Sequence, residues 1–178
     1  MNRSAMIALA AALSAAPGLF AQPLASLITE SRNSYNNVKS YLLKAADKMP
    51  EEAYSFKPTP ELQTFGQRVA HVAGEIGQCS SLTGERKMSD ANTKTAKADL
   101  VAALKTSFAA CDAAWDAMNE KTAMEMVAGR GGSERTKLGV LIGNTQHIDE
   151  VYGTMTVYMR LKGLVPPSSE GRGGMMRK

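Results

Sequence analysis

The sequence predicts an all-α protein folded as an up-and-down four-helix bundle, and three observations carry that expectation. Four segments space their apolar residues by three, four and seven, the period of a helix with one buried stripe. No segment alternates apolar and polar residues as a half-buried strand would. Pro50, Pro58, Pro60 and the Pro166-Pro167 pair fall between or after the four segments, where helices must stop.

In the first segment Ile28, Tyr35, Val38, Leu42, Ala45 and Met49 lie along one stripe, and Pro50 closes the helix. The loop AYSFKPTPELQ follows, stiffened by its prolines. Thr64 then begins a second helix, with Gln67 three residues on in the spacing of a capping box. Phe65, Val69, Val72, Ile76 and Cys79 share its buried face. After the polar stretch TGERKMSDANTKTAK, a third helix starts near Ala98, with Val101, Leu104, Phe108, Cys111, Trp115 and Met118 on one side. The segment AGRGGSER reads as a flexible connection in which Ser133 is a candidate cap. The fourth helix runs from about Lys137 to Lys162 and stops at Gly163. Trp115, Phe108 and the methionines are core by their spacing, and Arg160 and Lys162 suit the negative end of the last helix.

The first 21 residues have a different logic. Arg3 precedes an apolar run from Met6 to Ala16, a break at Pro17-Gly18 and a small residue at Ala21, the layout of a secretory signal peptide. The run is shorter than the ~20 apolar residues a membrane span needs. The expected organisation is therefore a signal peptide over 1–21, one bundle domain over 22–168 and a flexible tail over 169–178. The mature chain would keep 157 of the 178 residues, and because Arg3 is the only charge lost, the net charge falls from +4 to +3. Periplasmic or extracellular localisation follows, without stable membrane insertion. Lys and Arg are interspersed with acidic residues, which argues against nucleic acid as a partner.

Two histidines occur, His71 and His147. On the fourth helix Val140, Asn144, His147, Val151, Met155 and Tyr158 share a stripe, so the polar Asn144 and His147 point with apolar neighbours towards the axis. His71 lies at the edge of the second helix's buried stripe. One imidazole from each of two helices is how a bundle builds a metal site, and two separately hydrogen-bonded histidines are the alternative. Cys79 and Cys111 are the only thiols, both facing inward. A disulfide suits an oxidising compartment. Against it, simple antiparallel packing of the second and third helices would leave them offset by ~15 Å along the axis. Bonded and free thiols both remain open at this stage.

The runs YSFKPTPELQTFGQRVAHVAGEIGQC, KADLVAALKTSFAACDAAWDAM and LGVLIGNTQHIDEVYGTMTVYMRLKGLVPPSS together resemble the DinB family, in its exported branch, over nearly the whole mature chain. The resemblance implies a DinB/YfiT-like bundle, often a homodimer. It also implies a divalent-metal site built from one histidine on the second helix, matched by His71, and an HxxxH pair on the fourth, whose first member is His147. The second member falls on Val151, which has no donor atom. Substitute donors within helical reach are Glu75, four residues after His71, Glu150, three after His147, and Asn144.

Two functions are therefore expected in competition. One is a bundle with a degenerate metal site that acts as a non-catalytic binding or dimeric interaction protein. The other is a divalent-metal enzyme (Zn, Ni or Mn) of thiol S-transferase or hydrolase type, acting on a small-molecule or thiol ligand between His71 and His147.

Overall fold

The computed structural model describes residues 21–128 and 132–171. The expected signal peptide lies outside the described residues, apart from Ala21, the first residue of α1. Among the described residues the chain is all-α apart from one short hairpin: α1 Ala21–Lys48, α2 Phe65–Ala73, α3 Ile76–Ser80, α4 Lys97–Asp116, α5 Glu120–Ala123, β1 Met126–Ala128, β2 Glu134–Thr136 and α6 Lys137–Leu161. Among the described residues no helix is long and apolar enough to cross a membrane.

Four columns, α1, α2 with α3, α4, and α6, close a ring in which α1 and α2 each touch both α4 and α6. Their directions differ from the up-and-down expectation. The α1 column is antiparallel to α4, since Lys39 binds Asp112 at 2.7 Å while Lys97 donates to the Asp47 and Met49 carbonyls at the far end. The α6 helix is antiparallel to α2, with Tyr158 donating to the Gln63 carbonyl and His147 reaching His71. But α4 runs alongside α2 in the same direction: a Cβ on Gly66 would touch the Leu100 side chain, and further along both columns Cys79 is bonded to Cys111. The order is up, down, down, up. The cause is the connection over 81–96, which doubles back along the α2–α3 column, about 24 Å long at 1.5 Å per residue, and packs its Ala91 turn against α2.

That reversal removes the axial offset that argued against the disulfide. Cys79 and Cys111 are bonded, with their Cα atoms 4.7 Å apart.

The second helix is not continuous. At Gly74 and Glu75 the hydrogen bonds tighten to the three-residue pattern, with the Glu75 amide on the Val72 carbonyl and the Gln78 amide on the Glu75 carbonyl. Gly74 permits this, because a Cβ there would stand 3.0 Å from the His71 carbonyl oxygen. The cap of α6 is Thr136, whose hydroxyl accepts from the Gly139 amide, and not Ser133. The ends of the stretch expected to be a flexible connection pair as β1 and β2, with Met126 opposite Thr136 and Ala128 opposite Glu134, while 129–131 lie outside the described residues. The first residues of the expected tail are held to the bundle, since Ser169 accepts from Arg160 and Glu170 pairs with Lys48 at 2.8 Å, and 172–178 lie outside the described residues.

The capping box at Thr64 forms in both directions, with the Gln67 amide on the Thr64 hydroxyl at 3.1 Å and the Thr64 amide on the Gln67 side chain at 2.8 Å. Thr64→Ala should therefore lower the unfolding free energy by about 1 kcal/mol in a urea titration. An unchanged midpoint would show that the helix start is held by packing alone.

The core is continuous through all four columns. Tyr35, Trp115, Phe65, Tyr158, Leu104 and Met155 are among its largest fully buried side chains. Burial, then Asp112, pushes the Tyr35 phenol far above its ordinary value, and burial, then Asp47 and Glu51, does the same for Tyr54. The folded protein thus holds both phenolic protons more tightly than the unfolded chain does. That stability is complete below the ordinary value of about 10 and is lost as pH rises above it, at up to ~2.7 kcal/mol per pH unit for two groups. Urea midpoints measured between about pH 9 and 11 should fall steeply; a flat profile would contradict the burial of both rings.

Candidate metal centre

Two antiparallel helical columns bring the site together. His71 and Glu75 are four residues apart across the tight turn after α2, and Asn144 and His147 are three apart on α6, so each pair presents one helical face to the other. His71 therefore meets His147, and Glu75 meets Asn144.

The Nε2 atoms of His71 and His147 stand 2.8 Å apart, the rings edge to face. A Glu75 Oε1 lies 3.8 Å from His147 Nε2. One donor atom from each of the three residues fits within a 4.8 Å span. Two histidine nitrogens on a tetrahedral ion would be about 3.3 Å apart at 2.0–2.1 Å from the metal, so the rings need to separate by only about half an ångström.

Glu75 is the member that most needs explaining. It is 6% exposed, and a buried carboxylate is costly unless its oxygens are satisfied. Its Oε2 accepts from Asn144 Nδ2 at 3.1 Å and from Gln78 Nε2. Two amides on one oxygen leave Oε1 turned towards the histidines, so Asn144 and Gln78 orient the carboxylate. Asn144 Oδ1 also lies 4.0 Å from Cys79 Sγ, a packing contact, because a disulfide sulfur has no proton to donate.

The sequence-level candidates thus separate. His71, His147 and Glu75 converge. Asn144 faces the same interior but is spent on Glu75. Glu150 is exposed on α6 and takes no part in the cluster. Three residues from His147 is within helical reach but lands on the outer face, because α6 turns its 144–147–151 edge inward. Val151 is 4% exposed and packs in the apolar core.

Beside His147 opens a cavity of about 270 Å³ whose lining includes Gln78, Arg86, Arg135, Val127 and Val140. The two arginines were not singled out from sequence, because both stand in connecting segments where no apolar period marks a residue's direction. Gln78 could have been found, three residues after Glu75.

A family model described as the DinB superfamily matches residues 35–155, more than half of the chain. Among solved structures, a crystal structure of a dinb-like protein from Bacillus cereus ATCC 10987 is similar at a TM-score of 0.64 and 22% identity, over 77% of this chain and 93% of that one. At that identity the likeness speaks for the fold. No curated protein matches the sequence.

Proposed function

This chain belongs to the DinB superfamily, and from that premise we propose that it is a divalent-metal protein of the DinB-type four-helix bundle, with His71, His147 and Glu75 as its ligands. The observation that carries the reading is the buried Glu75 carboxylate. It lies where a third donor is needed once Val151 stands in the place of the second histidine of the HxxxH pair, and two side-chain amides hold its Oε2 while its Oε1 lies 3.8 Å from His147 Nε2. Two histidines and one glutamate are a donor set that zinc uses in catalytic sites, where three protein ligands leave room for a substrate. A bound divalent ion would supply a Lewis acid able to polarise a carbonyl or to ease deprotonation of water or a thiol. The chain's own contribution is to hold the carboxylate in one orientation, keep the apolar core at the back of the site dry, and leave His147 open to the adjoining cavity. This favours a metal-dependent enzyme of the thiol S-transferase or hydrolase type acting on a small molecule.

One observation favours the second reading, a non-catalytic binding or dimeric interaction protein. Val157 and Leu161, four residues apart on one face of α6, are exposed apolar side chains that a second copy of the chain could cover. Export to an oxidising compartment is supported by the Cys79–Cys111 bond, since such bonds are rare in reducing ones.

The test is to strip the purified mature protein with chelator, add zinc, nickel or manganese in turn, desalt, and count the metal by mass spectrometry. One equivalent of at least one ion is expected. Protein that retains none of the three would overturn the metal reading and leave the interaction reading standing.

A further inference from the structure

We infer that the cavity beside His147 is a binding cleft for a small organic acid, its carboxylate held between Arg86 and Arg135 and its apolar body directed to the candidate metal centre. The inference deepens the metal reading, on which it rests only for what the inner end of the ligand would meet. Carboxylate capture itself requires no ion.

Two glycines seat the arginines. A Cβ on Gly77 would stand 3.1 Å from Arg86 Nε, and one on Gly143 would stand 2.8 Å from an Arg135 guanidinium nitrogen. Each arginine therefore lies flat over a helix at a place where a side chain is missing, one over α3 and the other over α6. Both reach the cavity from connecting segments, Arg86 from the 81–96 link and Arg135 from β2. Arg135 is further fixed by donating to the Gly139 carbonyl at 2.5 Å.

Among the described residues, the ion pairs engage other cations, and no acidic side chain pairs with either guanidinium. Two guanidinium forks with no counter-ion on one small cavity are suited to a planar, bidentate oxyanion. The same cavity is lined by the apolar side chains of Leu82, Val127, Ala128 and Val140 and by the polar Gln78 and Ser81. The ligand is therefore amphipathic, with one anionic end and an apolar body. A volume of about 270 Å³ admits a metabolite and not a polymer.

The probe is 3-phenylpropanoate, titrated calorimetrically into the metal-stripped protein beside its neutral isostere 3-phenylpropanamide and inorganic phosphate. The acid should bind saturably, and the amide should bind at least about tenfold more weakly, the cost of losing a charge-assisted hydrogen bond. Arg86→Gln and Arg135→Gln should each weaken the acid by about tenfold or more on the same grounds, with unchanged melting temperatures because both side chains are exposed. Gly143→Ala gives an independent check: the new methyl displaces Arg135 while alanine favours the helix, so acid affinity should fall and the melting temperature should not.

Equal binding of acid and amide would overturn the proposal. So would acid binding indifferent to both arginine variants, phosphate binding as tight as the acid, or no saturable acid binding. Because no ion is present, each of these results is separate from the metal count, which can fail while the cleft stands or hold while the cleft fails.

Discussion

His147→Ala is expected to weaken zinc binding by at least about 100-fold while leaving the helical content and the urea midpoint close to those of the parent. The magnitude follows from comparing shells: even partners that only orient a ligand are worth ~10–100-fold, so loss of a ligand itself should reach the upper end of that range. The fold should survive because the His147 side chain is 37% exposed at the cavity edge and little packing depends on it. Glu75→Gln should weaken zinc comparably, because the amide keeps the shape of the carboxylate but loses its charge and one acceptor. Glu150→Gln is the internal control. Its carboxylate is on the outer face of α6, and its variant should bind zinc as the parent does. Competition against a chromogenic chelator reads all three. Equal losses in Glu75→Gln and Glu150→Gln would show that only net charge matters.

The largest effect on stability is expected from the disulfide. Replacing both Cys79 and Cys111 with Ala should lower the unfolding free energy by about 3.7 kcal/mol, the loop-closure entropy for a sequence separation of 32. Both sites are buried, so lost packing adds to that figure. Locally, the bond ties the five-residue α3 to α4, and α3 is too short to persist without tertiary support. Since Glu75 and Gln78 flank its start, the variant should also bind zinc less tightly than the oxidised parent. Urea unfolding of the parent with and without reductant, beside the double variant, measures the effect. A difference below about 1 kcal/mol would mean that the bond closes no loop the unfolded chain would otherwise leave open.

What could be read from sequence followed the strength of the local signal. The Thr64–Gln67 box, the extents of α4 and α6, and the inward Val140–Asn144–His147–Val151 stripe, with His147 at its exposed edge, were legible because periodicity and caps act within one helix. The direction of α4 was not, because a connection as long as 81–96 can either turn at once or run back along its neighbour, and nothing in its polar composition chooses. That one ambiguity also misplaced Cys111 relative to Cys79. The site was half legible for a related reason. Spacing from the histidines marks Glu75 and Glu150 alike, and only the packing of α6 against α2 shows that one carboxylate turns inward with Asn144 and Gln78 while the other meets solvent. The β1–β2 hairpin, three residues on each side, is shorter than the window in which alternation can be recognised.

X-ray absorption at the zinc edge of the loaded mature protein tests directly whether Glu75 completes a site with the two imidazoles. A first shell of two imidazole nitrogens with carboxylate oxygen, reduced to two imidazoles without it in Glu75→Gln, is the predicted result. A shell with fewer than two imidazoles, or one unchanged by Glu75→Gln, would contradict it.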